Sequence, residues 1–212
     1  MSGCGVCKGM TQAPVKEIMQ RLFVAVTLPD TVRQLLIERQ TELSGMRWAS
    51  PDNLLTLRFI GEVPQARVSA IKAGLKMISG NVFTLQVKGL GYFDKRPQAV
   101  VWAGVEESVS LLALKKQVDD ALALHAGLKA PDGRFSPHIT LGRAKRADRA
   151  ALKNFTAKYG DATTAAFKVE SFTLFSSVLA PGGAVHTVEE QYLLVDGAPP
   201  EQTARQRGFC EK

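Results

Sequence analysis

The chain has 212 residues, of which 45% are hydrophobic and 22% are charged. This length suffices for one well-buried domain or two small lobes sharing a core, and the composition excludes a chain that stays disordered for lack of apolar surface. No apolar run approaches the roughly 18 residues of a membrane span, and the first residues lack the apolar stretch of a signal peptide. We therefore expect a cytoplasmic protein that does not contact a membrane.

The net charge of +7 favours an anionic partner, because a positive surface raises the local concentration of phosphate-bearing ligands. Charge alone is a weak signal, since many basic proteins bind no nucleic acid. Cys4 and Cys7 form a single C-x-x-C, whereas structural zinc needs four ligands and no second pair follows. We expect tail thiols in a reducing compartment, with no metal and no cofactor.

The first half of the chain is predicted to contain four strands and two helices. "RLFVAVTLP" (21–29) is an apolar run closed by proline, and residues 30–45 have the capping residue, apolar stripe and final glycine of a helix. In "NLLTLRFIGEV" (53–63), strict alternation assigns the side chains to two faces. One face would carry Leu55, Leu57 and Phe59, and the other Leu54, Thr56 and Arg58. Residues 64–79 have helical spacing, and strands are predicted at 83–93 and 99–105.

The second half is also predicted to combine strands with helices. The longest helix is predicted over 108–127, and "PHITLGRA" (137–144) is the next strand. A short helix at 147–159 precedes two strands, 166–179 and 184–195, joined by the turn "APGG". The segment Leu54-Leu55-Thr56-Leu57 matches His138-Ile139-Thr140-Leu141 as a diverged internal repeat.

The predicted fold class is α+β, with two pseudo-symmetric lobes of mainly antiparallel sheet and outer helices around a central cleft. Residues 1–19 are predicted to be a flexible extension, 20–196 a single bilobal domain, and 197–212 a polar tail.

His138 and Thr140 are the first candidates for chemistry. Residues two apart on a strand point to the same side, so the two side chains would project together while Ile139 faces the core. Imidazole exchanges a proton near neutral pH, and a threonine hydroxyl donates to a phosphate oxygen without adding charge. The pair suits phosphate-ester chemistry, and the alternative is a structural histidine with its hydrogen bonds satisfied.

Three segments in this order, "RLFVAVTLP", "W-x-x-P-D-N-L…L-T-L-R-F-I-G-E-V" and "F-S-P-H-I-T-L-G-R", resemble the 2H phosphoesterase superfamily. Within it the chain is similar to the RNA 2′,3′-cyclic phosphodiesterases, also called 2′–5′ RNA ligases, over residues 21–195. The resemblance implies two facing His-x-Thr motifs, one histidine acting as general acid and the other as general base, with threonines and basic side chains holding the phosphate. His138 and Thr140 match the second motif.

The first motif departs from the family pattern. Thr56 fits its threonine, but Leu54 stands where the resemblance requires histidine, as if one residue of N-L-H-x-T-L had been dropped. His125 reads as a core or rim residue of the long helix, and His186 lies in another strand, so neither is a convincing replacement. The general base would have no partner acid.

Arg58 and Arg143 are the candidate phosphate-binding cations. Alternation places Arg58 on the Thr56 face, although an exposed structural arginine is an equal alternative. Arg143 is three positions past Thr140, so it shares the Thr140 face only if Gly142 ends or bulges the strand; the family has an arginine there. The aromatic rings that could stack on a base are Phe135, Tyr92 and Trp48, each also suited to packing.

The leading hypothesis is a phosphodiesterase that hydrolyses a terminal 2′,3′-cyclic phosphate of RNA to a 2′-phosphate, impaired by Leu54, with 2′–5′ RNA ligation as a side activity. His138 would be catalytic, and Thr140, Thr56, Arg143 and Arg58 would bind phosphate. The alternative is a catalytically silent module of the same fold that binds RNA ends or nucleotides. A third reading is that the gap is an error in the sequence. The protein is expected to be a monomer.

Overall fold

The computed structural model describes residues 17–43, 46–48, 52, 54–95, 98–144, 148–180 and 183–196. Cys4, Cys7 and most of both predicted tails lie outside these residues, as does the side chain of Trp48. The described strands are β1 (Met19–Val26), β2 (Arg47–Trp48), β3 (Leu55–Pro64), β4 (Phe83–Leu85), β5 (Val87–Lys95), β6 (Gln98–Val105), β7 (His138–Ala144), β8 (Phe167–Val169), β9 (Ser171–Ala180) and β10 (Gly183–Leu193). The helices are α1 (Asp30–Gln40), α2 (Gln65–Lys76), α3 (Val109–Ala126) and α4 (Arg149–Tyr159).

One large sheet holds the fold together. Its strands lie in the order β10-β9-β1-β3-β7-β6-β5, β2 pairs with β7, and every paired strand is antiparallel to its neighbour. The halves β10-β9-β1-β3 and β7-β6-β5 meet where β3 lies beside β7. The predicted α+β class with mainly antiparallel sheet is confirmed.

Two predicted strands are each split in two. Gln86 separates β4 from β5, and Glu170 separates β8 from β9, because their backbone carbonyls accept hydrogen bonds from Glu106 and Leu194 instead of continuing the ladder. The short pieces β4 and β8 then pair with each other as a separate two-stranded sheet.

The predicted ends of the longest helix are confirmed by its capping groups. The Leu111 backbone N–H donates to Ser108 Oγ at 3.0 Å, and Gly127 adopts the left-handed conformation with φ of 63°. The first strand starts two residues earlier than predicted, because β1 begins at Met19 and not at Arg21. The Gln65 N–H donates to the Ile18 carbonyl at 2.9 Å, which ties this start to α2.

All four helices pack on one face of the large sheet. Helices α2 and α3 contact β3, and α2 also contacts β10, whereas α1 contacts β7 and α4 contacts β5. The main core between helices and sheet contains the fully buried Leu22, Val24, Leu55, Ile139 and Leu141. The opposite face, which we call the open face, carries a separate small cluster of Phe23, Ala25 and Phe175, against which Leu54 packs.

Candidate active site

The two repeat strands meet at a single paired position, the seam between the halves. Leu55 of β3 faces Ile139 of β7, and both side chains are fully buried in the main core. Continuing this antiparallel register by one residue each way sets Thr56 beside His138 and Leu54 beside Thr140. Because neighbouring side chains on a strand alternate, all four lie on the open face. The seam therefore brings the two repeats together as cross-strand pairs.

His138 is held in one tautomer. Its Nδ1 lies 2.8 Å from the Ser136 carbonyl oxygen, which can only accept, so Nδ1 is the donor, and in the neutral ring Nε2 carries the lone pair. The Phe93 ring stands edge to face against the imidazole, with centroids 5.5 Å apart and an interplanar angle of 87°. These two contacts fix an imidazole that can accept a proton at Nε2.

A β-bulge follows Thr56. Thr56 pairs with Ala25 and Arg58 pairs with Val24, so Leu57 is an extra residue on β3. A bulge of this kind breaks strict alternation and sends the next side chain to the other face. Arg58 consequently points to the helix face, and the prediction that it shares the Thr56 face is wrong.

On the helix face Arg58 is only 8% exposed and has protein partners. Its Nη1 lies 3.5 Å from Asp119 Oδ1 on α3, and its Nη2 donates to the Lys129 carbonyl. Lys115 also pairs with Asp119. Arg58 is thus part of a buried charge cluster behind the sheet, and not a phosphate ligand on the open face.

A second bulge follows Thr140. Thr140 pairs with Trp102 of β6, and Arg143 pairs with Val100, so one extra residue, Leu141, lies between. Trp102 and Val100 are two apart on β6 and face the same side, so Arg143 returns to the open face with Thr140. The Arg143 side chain is exposed there. A local bulge was the condition on which the sequence favoured Arg143, and the structure contains it.

The position equivalent to Arg143 in the first repeat is Phe59. Phe59 is 55% exposed and stacks on Phe23 with centroids 5.7 Å apart and an angle of 19°. Phe23 stacks in turn on Phe175 at 5.2 Å, and the Arg21 guanidinium carbon lies 5.5 Å from the Phe59 ring centre. An aromatic ring therefore occupies in the first repeat the position that an arginine occupies in the second.

No second imidazole takes the place of Leu54 among the described residues. His125 belongs to the helix side of the molecule, where its Cβ lies against Gly74 of α2. His186 lies on β10, three strands away from β3, with its ring edge-on to Phe23 at 5.0 Å. Burial lowers the pKa of His186, and the nearby Asp52 carboxylate partly opposes this. Leu54 itself packs on the aromatic cluster.

The aromatic residues nearest the site are not those that the sequence singled out. Tyr92 and Phe135 pack against the main core, which was the alternative to stacking on a base. Phe93, the neighbour of Tyr92, is the ring at His138, and Trp102 lies opposite Thr140 with its indole over Gly91. The sequence contained both rings in predicted strands, but which face each would occupy depends on the pairing register.

No group of three or more His, Cys, Asp or Glu side chains within the described ranges is arranged to hold a metal ion. The same part of the chain has no helix that is long and apolar enough to cross a membrane.

A family model, curated proteins and solved structures that resemble this chain all point to the same family. A family model described as the 2′-5′ RNA ligase superfamily matches residues 53–179. The RNA 2′,3′-cyclic phosphodiesterase of Archaeoglobus fulgidus is 31% identical over 171 residues, covering 78% of this chain and 96% of the relative. The enzyme of that name from Aquifex aeolicus is 32% identical over 183 residues, covering 82% and 97%. The crystal structure of E. coli LigT complexed with 3′-AMP superposes with a TM-score of 0.71 at 27% identity, covering 84% and 99%.

These likenesses and the paired repeat strands define the architecture as the 2H phosphoesterase fold. The resemblance expected from the sequence is thereby confirmed. The chain belongs to the 2′-5′ RNA ligase superfamily.

Proposed function

We propose that this protein is an RNA 2′,3′-cyclic phosphodiesterase that opens the cyclic phosphate at an RNA end and leaves a 2′-phosphate. The single observation that carries this proposal is the seam, where an imidazole with a free Nε2 lies beside Thr56 and two residues from Thr140. The curated relatives named RNA 2′,3′-cyclic phosphodiesterase support the assignment of substrate.

In the proposed reaction the cyclic phosphate lies over the seam on the open face. The Thr56 and Thr140 hydroxyls donate to its non-bridging oxygens, and Arg143 offsets its charge. His138 Nε2 accepts a proton from water as the water oxygen bonds to phosphorus and the bond from phosphorus to O3′ breaks. The leaving O3′ must gain a proton, and the 2′-phosphate remains attached.

Leu54 affects how the leaving O3′ obtains its proton. A histidine at this position would lie beside Thr140, on the opposite side of the phosphate from His138, and could protonate the leaving oxygen. Leucine has no proton to give, so solvent must supply it. A positioned general acid contributes typically 10²- to 10⁴-fold in rate, or about 3 to 5.5 kcal/mol of barrier, so we expect a slow enzyme.

A 5′-hydroxyl can take the place of water in the same ring opening. Its oxygen bonds to phosphorus, His138 Nε2 accepts its proton, the bond from phosphorus to O3′ breaks, and solvent protonates the leaving O3′. The product is a 2′–5′ linkage, so ligation is expected as a side activity of the same groups.

A hydrolysis assay tests the proposal directly. An RNA with a 2′,3′-cyclic phosphate end is incubated with the wild type and with His138→Ala, and the 2′-phosphate product is quantified. We expect slow turnover by the wild type and loss of turnover, by about 10²-fold or more, in the variant. Equal rates for both proteins would remove the enzymatic role of His138.

The packing of Leu54 favours a second candidate, a catalytically silent module that binds RNA ends or nucleotides. Leu54 fills space against the aromatic cluster on the open face, while Thr56, Thr140 and Arg143 are still available to hold phosphate. A wild-type rate equal to that of buffer, together with measurable binding of adenosine 3′-phosphate, would favour this candidate over the enzyme.

We further propose that the protein acts as a monomer in the cytoplasm. Its seam lies within one chain and needs no group from a second copy, which supports the monomer. Size-exclusion chromatography with light scattering should give a mass near 23.0 kDa. A stable dimer at micromolar concentration would contradict this part of the proposal.

A further inference from the structure

Two arginines stand side by side at the end of the seam. Arg47 of β2 is directly opposite Arg143 of β7 in the antiparallel ladder. Residues directly opposite each other project from the same face of a sheet, with Cβ atoms roughly 5 Å apart. Because Arg143 is on the open face, Arg47 is on that face too. Nothing in the sequence had singled out Arg47.

Three cross-strand pairs therefore follow one another along β7 on the open face. His138 with Thr56 is the first, Thr140 with Leu54 is the second, and Arg143 with Arg47 is the third. The first two pairs are roughly 7 Å apart, since they are two positions apart on β7, and the bulge at Leu141 places the third slightly further on. A row of this spacing follows the line of β7.

Neither guanidinium of the third pair has a hydrogen bond or ion pair to another residue that the structure describes. Both side chains are exposed, and neither forms an ion pair with a carboxylate of the described residues. Other exposed arginines do have such partners: Arg134 pairs with Glu107 and Arg149 with Asp94. Like charges directly opposite each other repel, so this pair does not stabilise the sheet by itself. A bound anion between the two guanidinium groups would remove the repulsion.

We propose that Arg47 binds the phosphate one nucleotide upstream of the RNA end. The cyclic phosphate occupies the first two pairs and reaches Arg143, and the adjacent internucleotide phosphate lies over Arg47. This inference rests on the proposed function and narrows its substrate: an RNA chain of at least two nucleotides is preferred to a nucleoside cyclic phosphate.

The test compares ligands with one and two phosphates. Binding of adenosine 3′-phosphate and of the dinucleotide ApA with a 3′-phosphate is measured by calorimetry at several salt concentrations, and hydrolysis is measured on the two corresponding 2′,3′-cyclic phosphates. The proteins are wild type, Arg47→Gln, Arg47→Lys and Arg67→Gln, the last an exposed arginine of α2 on the helix face that serves as matched control.

The wild type should prefer the dinucleotide by about tenfold or more, and Arg47→Gln should lose most of that preference. Its slope of log affinity against log salt for the dinucleotide should become shallower by about 0.7, the value for one contact to single-stranded nucleic acid. Arg47→Lys should retain the slope, and Arg67→Gln should behave as wild type.

The possible failures are distinguishable. Equal loss of affinity for both ligands in Arg47→Gln, or no loss for either, overturns the upstream site while leaving the proposed function intact. A wild type that binds the mononucleotide without preferring the dinucleotide also overturns the upstream site and leaves the proposed function intact. A wild type that neither binds nor hydrolyses any of the four ligands overturns the proposed function together with this inference.

Discussion

Leu55 and Ile139 face each other across the seam, and both are completely buried in the core beneath the sheet. This pair fixes which residues of the two repeats become neighbours on the open face. His138, two residues before Thr140 on β7, is next to Thr56 on β3. Leu54, two residues before Thr56, is next to Thr140. A slip of one residue in either strand would turn that strand's two side chains towards the helices.

The first prediction follows from the position of Leu54. Leu54→His should place an imidazole beside Thr140, where it can protonate the leaving O3′, and should raise the rate of cyclic phosphate hydrolysis by about 10²- to 10⁴-fold. Loss of leucine packing against the aromatic cluster should lower the free energy of unfolding by about 1 kcal/mol. Single-turnover kinetics and urea denaturation measure the two effects.

Leu54→Gln is the matched control for that experiment, because it removes the same apolar contact without adding a group that transfers protons at neutral pH. A rate for Leu54→His no greater than that for Leu54→Gln would count against a proton-transfer role at this position. Inserting histidine between Leu54 and Leu55 places the ring at the same distance from Thr56 and keeps a leucine upstream, so it should also raise the rate.

The second prediction concerns the buried charges behind β3. Asp119→Asn leaves Arg58 and Lys115 without their shared carboxylate and should lower the free energy of unfolding by about 3 kcal/mol. Arg58→Met leaves Lys115 paired with Asp119 and should be less destabilising. Urea denaturation at neutral pH distinguishes the two variants.

The same Arg58→Met protein checks the side of the sheet on which Arg58 acts. Its affinity for adenosine 3′-phosphate should stay within about twofold of wild type, because the guanidinium is on the helix face, whereas an arginine contact to phosphate would be worth about 1.5 to 3 kcal/mol. A tenfold weaker affinity in a protein of unchanged stability would return Arg58 to the binding site.

The sequence was sufficient for the fold class, the ends of α3 and the His138 strand, because apolar periodicity and capping residues are local signals. It was not sufficient for the bulges after Thr56 and Thr140, since a bulge is defined by how a strand pairs with its neighbour. Strict alternation therefore sent Arg58 to the wrong face. Arg47 could not be singled out from the sequence either, because its proposed role depends on which residue of β7 it faces.

The third prediction concerns Gly91 and the ring beside Thr140. A Cβ at position 91 would lie 2.5 Å from Cζ2 of Trp102, so Gly91→Ala must displace the indole. We expect a loss of about 1 to 3 kcal/mol in stability and a shift in tryptophan fluorescence. In a Trp102→Phe background, where the ring is smaller, the alanine should be less destabilising; an equal cost in both backgrounds would mean that the indole is not what the methyl group meets.

The fourth prediction concerns the pH dependence of stability at His186. Burial of this ring against Phe23 lowers its pKa below the ordinary value of 6.5, with Asp52 partly opposing the effect. As the pH falls through 6.5 the unfolded chain takes up a proton that the folded protein resists, so this residue favours unfolding in acid and is neutral in its effect well above that pH. His186→Gln should therefore reduce the fall in unfolding free energy between about pH 7.5 and about pH 5.5. Urea denaturation at both pH values measures this difference, with His125→Gln, a substitution of an exposed histidine of α3, as the comparison. If the two variants changed the pH dependence equally, burial of His186 would not be its source.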